Sequence, residues 1–174
     1  MLSSTPITLL LSLAALTTAA PTTLAPRASI DDISAAVNGW ASDTSRVSQF
    51  LSSASSLSGK DLASHGATAL ASEQDELTHK AVLDGPFGSD PNVKSASATL
   101  GRPDTFQFVV DGLRKFADDG ASMSAADVAS LVAQINATRC KNVLPAINAY
   151  FKAASAVLNN GLTALANLPD NCPV

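Results

Sequence analysis

Charge is scarce in this chain. Asp, Glu, Lys and Arg make up 15% of its residues, against roughly 25% in an average soluble domain. No stretch gathers Lys and Arg into a basic cluster. Nucleic acid and anionic membrane are held by such clusters, so the charge pattern excludes both as partners. Thiols and imidazoles are equally few: Cys140 and Cys172, His65 and His79. The Gly-x-Ser-x-Gly elbow of a nucleophilic hydrolase is missing, and nothing singles out one serine beside a histidine. No Asp or Glu stands in an apolar stretch that predicts a raised pKa. These absences predict a non-catalytic protein that needs no cofactor. Alternating strand patterns and internal repeats are also absent, which leaves helices to build the fold.

The one long apolar run is Ile7 to Leu16, followed by Thr17-Thr18-Ala19-Ala20-Pro21. A short hydrophobic stretch ahead of small residues reads as a secretory signal, and it falls short of the roughly 20 residues that span a bilayer. The expected organisation is a signal peptide over residues 1–19, a Pro/Thr-rich leader over 20–27 ending in Pro26-Arg27, and one domain over 28–174. The expected location is extracellular or at a cell wall, with no transmembrane segment. Loss of Arg27 leaves 10 basic residues against 15 acidic ones, a net charge of −5. In an oxidising compartment the isolated pair Cys140 and Cys172 reads as a disulfide rather than a metal or redox site. Asn136-Ala137-Thr138 is a sequon, making Asn136 a candidate glycan acceptor.

The domain reads as helix after helix. Ser29 is the N-cap of a first helix, with Asp31 and Asp32 in the turn where carboxylates favour the helix dipole. Ile30, Ile33, Val37, Trp40, Val47, Leu51, Ala54 and Leu57 give it one apolar face, and Ser58-Gly59 ends it. A second helix is predicted from Lys60 to Leu83 with Leu62, Ala69, Leu70, Leu77 and Ala81 inward. A turn-rich loop from Asp84 to Pro91 follows. Asp90-Pro91 then opens a short helix to Leu100. The next runs from near Pro103 to Asp119, and Ser124 with Asp127 caps another. Pro145 restrains the residue before it, so Arg139 to Leu144 is expected to be a turn or sharp kink. The last helix ends at Asn159-Asn160-Gly161. Bridged cysteines require the chain to reverse, and Gly161 is where that is expected. The predicted fold is all-α, a compact bundle of five to six helices with one C-terminal disulfide.

Glu76-Leu77-Thr78-His79 has the Glu-x-x-His spacing of carboxylate-bridged metal bundles, but such sites need the motif twice, and Leu62 stands three residues before His65. Asp75 with His79 and Glu76 with Lys80 are instead expected as i,i+4 pairs on a solvated face, and no metal is assigned. Phe87, in a Gly/Pro loop, is a candidate for surface contact or a plug for one end of the bundle. Trp40, Phe106, Phe116 and Phe151 are core residues by position. In an alanine-rich interior they are also candidate contacts for an apolar ligand such as an acyl chain.

The leader ending in Pro-Arg, the Ser/Thr/Ala-rich helical domain and the segment Arg139-Cys140-Lys141-Asn142-Val143-Leu144-Pro145, continuing to Tyr150-Phe151, resemble secreted fungal proteins. The group in question is that of hydrophobic surface-binding protein A and the cell-wall galactomannoproteins. The cysteine pair departs from the first of these. The resemblance implies a protein of the fungal cell wall that binds lipids, fatty acids or hydrophobic surfaces, with cell-wall glycans or a secreted hydrolase as further partners. The alternative is a structural or antigenic wall protein, or a secreted effector, acting through its outer surface.

Overall fold

The computed structural model describes residues 28–159 and 165–173. The signal and leader, and the reversal expected at Gly161, lie outside the described residues. The described chain is all-α, with α1 Ile30–Ser53, α2 Gly59–Phe87, α3 Pro91–Leu100, α4 Phe106–Asp119, α5 Ala125–Thr138 and α6 Leu144–Leu158. The helix starts follow local chemistry. The Ser29 hydroxyl accepts from the Asp32 backbone, while the Asp32 carboxylate accepts from Ser29 N at 3.0 Å, a complete capping box. Asp90 caps α3 by accepting from Asn92 N and Val93 N, with Pro91 in the first turn, and Ser124 caps α5 through Asp127 N. At the other end of the bundle Asn159, left-handed at φ 46°, closes α6.

Long α2 is the spine, lying along α1 on one side and α4 on the other, while α3 lies along α6. Two close approaches depend on glycine. A Cβ on Gly66 would come within 2.7 Å of Phe116 Cβ on α4, and one on Gly39 of α1 would meet the His79 ring of α2. The core runs through Trp40, Leu51, Leu62, Leu83, Leu113, Phe116, Ile135, Ile147 and Phe151. Trp40 stacks obliquely on Tyr150 with centroids 5.2 Å apart and meets Phe151 edge-on, and Phe50 meets Phe116 edge-on.

Three local expectations are corrected. First, α2 continues through the predicted loop to Phe87, with Pro86 in its last turn. Tertiary anchors override the turn residues: Lys80 bonds Asp84 at 2.6 Å, Tyr150 Oη donates to Asp84 Oδ1 at 2.6 Å, and Phe87 packs into the core. Second, Arg139–Val143 does not break the chain but forms a π-helical turn leading into α6. A wider turn takes up the missing amide of Pro145 and carries Arg139 inward. Third, the buried face of α2 is rotated from the one predicted. Leu62, Gly66, Ala69, Glu73, Glu76, Leu83 and Phe87 are buried, whereas Leu77 is 49% exposed.

The segment 165–173 returns across the bundle. Asp170 N donates to Ser52 Oγ at 3.0 Å, Asn171 Nδ2 to Leu51 O at 3.1 Å, and Ala166 N to Asn148 Oδ1 at 2.7 Å. The Cys140–Cys172 disulfide, with Cα atoms 6.0 Å apart, ties this strap to the π turn.

Candidate functional site along α1 and α2

The seam between α1 and α2 carries the molecule's unusual chemistry. Glu73 and Glu76, on successive turns of α2, are fully buried, as is Arg139 from the π turn. Arg139 Nε lies 3.4 Å from Glu73 Oε2, and Nη2 lies 3.6 Å from Glu76 Oε1. Its remaining donors go to α1: Nη1 to Ser48 Oγ at 2.8 Å and Nη2 to Thr44 O at 3.3 Å. The Trp40 indole donates to Glu76 Oε2 at 2.9 Å.

Two carboxyl groups therefore share one guanidinium away from water. Burial raises the pKa of both, and for Glu76 the charge of Glu73 adds to it, so Glu76 stands well above the usual carboxylate range. Arg139 pulls both down without cancelling burial, and Asp43 on α1 pushes both up. Glu73 Oε1 and Glu76 Oε1 have no hydrogen-bond donor among the described residues. A proton shared between the two carboxyl groups would supply the donor that both oxygens lack.

Nearer the surface, His79 faces two carboxylates. Its Nε2 lies 3.2 Å from Asp43 Oδ2 and 3.6 Å from Asp75 Oδ2, and the three groups can present ligand atoms within 4.8 Å of one another. Asp43 is buried and also holds Arg46 at 3.0 Å, while Asp75 is exposed. These are the residues that could hold a metal ion. Glu76 turns inward instead of joining His79 and pairs with Trp40 and Arg139, which corrects its expected place on a solvated face. Lys80 pairs with Asp84 instead.

Two open grooves flank His79. One, of about 630 Å³, is polar and includes Asp43, Arg46, Ser72 and Asp75. The other, of about 560 Å³, is walled by Ala28, Ala35, Ala36, Ala81, Val82 and Gly85, with Asp32 and His79 as its polar members. Its floor is small side chains because α1 and α2 present alanines to each other at this end. Val82 stands exposed in its wall.

The aromatics singled out in the sequence lie elsewhere. Trp40, Phe106, Phe116 and Phe151 are all buried in the core and line neither groove. Phe87, also offered for surface contact, is 7% exposed at the end of α2 and plugs the bundle. Asn136 is 1% exposed, and its Nδ2 donates to Asn171 Oδ1 at 2.7 Å. The nitrogen that would carry a glycan is thus buried and used to seat the C-terminal strap. Cys140 and Cys172 are joined as expected.

Sequence reasoning missed Glu73, Asp43 and Arg139. The signal for Glu73 and Glu76 was present: Leu62, Ala69, Glu76 and Leu83 follow one another at seven-residue steps, as do Gly66, Glu73, Lys80 and Phe87. A carboxylate on a heptad stripe otherwise made of core residues is buried unless the helix rotates. Asp43 left the same trace, standing at seven-residue steps between Ala36 and Phe50 on α1, whereas the burial of Arg139 comes from contacts distant in sequence. Comparison of the chain with protein-family models, curated proteins and solved structures returns no match.

Proposed function

We propose that this chain is a secreted, non-catalytic binding protein that takes lipids, fatty acids or hydrophobic surfaces at its exterior, at the fungal cell wall. The observation that carries the reading is the alanine- and valine-walled groove between α1 and α2. Its volume of about 560 Å³ falls in the range of small-molecule sites, and apolar walls with polar groups at hand suit an amphiphile. The interior is a poorer place for a ligand, because the large aromatics pack against each other and against aliphatic side chains. The ligand class accords with the resemblance to hydrophobic surface-binding protein A and the wall galactomannoproteins, and secretion accords with the apolar run at Ile7 to Leu16 and with the disulfide. Among the described residues no helix is long and apolar enough to cross a membrane.

The test is a titration with a fluorescent fatty acid, paired with adsorption to a hydrophobic polymer. Saturable uptake or adsorption that Val82→Asp and Ala35→Asp both weaken supports the groove. Absence of uptake and adsorption sinks the reading. It would favour the alternative, a structural or antigenic wall protein or an effector working through its outer surface, for which the filled core is the supporting observation.

A further inference from the structure

We infer that Asp43, Asp75 and His79 form a binding site for a divalent transition-metal ion of the zinc type. The proposal is independent of the apolar groove. Asp75 and His79 are one turn apart on α2, so both project along one edge of that helix. Asp43 enters from α1, one turn beyond Gly39. A Cβ on Gly39 would come within 2.3 Å of His79 Cε1, so the missing side chain is what lets the imidazole lie against α1 and reach Asp43.

The spacing fits a metal as readily as an ion pair. Zinc binds imidazole nitrogen at about 2.0–2.1 Å and carboxylate oxygen at about 2.0–2.2 Å, so tetrahedral ligand atoms stand roughly 3.3–3.5 Å apart. The two contacts of His79 Nε2, 3.2 and 3.6 Å, straddle that separation. Both oxygens approach the same ring nitrogen, which has only one proton to give. An ion at that point would take both oxygens and the nitrogen together.

Charge favours the same occupant. Two carboxylates meet at the site, and the cation paired with them is Arg46. Arg46 reaches Asp43 through Oδ1, leaving Oδ2 directed at His79. The imidazole selects a borderline ion over Mg²⁺ or Ca²⁺, which prefer all-oxygen shells. Three protein ligands leave a fourth position toward the polar groove that Asp43 and Asp75 line.

The experiment is calorimetric titration of the folded, disulfide-intact protein with ZnCl₂, repeated with MgCl₂ and with the variants D75N, H79Q and H65Q. Asp75 is exposed, so D75N reports on binding without endangering the fold, and circular dichroism checks that each variant is folded. The expected result is one zinc per chain, affinity reduced more than about tenfold in D75N and in H79Q, unchanged affinity in H65Q, and far weaker Mg²⁺ binding. The proposal is overturned by the absence of saturable zinc binding, or by zinc affinity that D75N and H79Q leave unaltered.

Discussion

The Trp40 indole nitrogen lies 2.9 Å from Glu76 Oε2, joining the largest aromatic of α1 to a carboxyl buried in α2. That bond sits at the centre of the polar cluster, and it shows why α2 turns Glu76 inward when its apolar neighbour Leu77 points to solvent.

Glu76 makes the stability of the protein depend on pH in a specific direction. Burial and the Glu73 charge hold its folded-state pKa well above the ordinary value of 4.5. Between the unfolded and folded values the native state keeps a proton that the unfolded chain has released. The stabilisation is complete below about pH 4.5 and is lost as pH rises through the folded pKa, by about 1.4 kcal/mol per unit of difference. Glu76→Gln keeps an acceptor for Trp40 and a donor for Glu73 without the titration. Urea unfolding between pH 4 and pH 8 should show the variant gaining on the parent as pH rises. A stability gap independent of pH contradicts the assignment.

Among the described residues Arg139 is the one guanidinium between the two buried carboxyls. Arg139→Met should destabilise by about 3–5 kcal/mol, the usual cost of leaving a buried ionic group unpaired. Adding Glu73→Gln and Glu76→Gln should recover much of that loss. A single variant that costs less than about 1 kcal/mol, measured by urea unfolding, would show that the cluster is not held as described.

The bundle and its caps were legible in the sequence, and the seam was not. Ser29, Asp90 and Ser124 are short-range signals, each satisfied within three residues, so local chemistry sufficed. The disulfide followed from there being only two cysteines. Asp84 to Phe87 carried equally clear turn residues, yet Tyr150, 66 positions away from Asp84, holds that turn helical. Apolarity was a misleading guide on α2, where it selected Leu77 and Ala81 and rotated the inferred face away from Glu73 and Glu76. The groove between α1 and α2 depends on which alanines of two helices meet, and composition reports only that alanines are plentiful.

The C-terminal strap should loosen before the helices do. Its disulfide closes a loop with a sequence separation of 32, for which chain entropy gives roughly 3–4 kcal/mol. The double variant Cys140→Ser, Cys172→Ser should lose about that much stability while its helical circular dichroism persists at room temperature. Amide exchange at Ala166 and Asp170 should accelerate, since both donate to helix side chains across the strap. Unchanged exchange there would mean that the hydrogen bonds alone hold the segment.

Asn136 offers a check on the same corner. Its amide is buried against Asn171, so protein secreted by a eukaryotic host should carry no sugar at this position. Peptide mass spectrometry before and after glycosidase treatment should show Asn136 unmodified. Full occupancy in folded material would contradict the packing of the strap.

The central claim is that ligands of apolar character are taken at the α1–α2 groove and not within the bundle. Amide chemical-shift mapping of the labelled protein during titration with a medium-chain fatty acid tests it most directly. Saturable shifts should centre on Ala28, Ala35, Ala36, Ala81, Val82 and Gly85, which wall the groove. Shifts centred instead on Phe106, Phe116 and Phe151 in the core, or no saturable shifts at all, would contradict it.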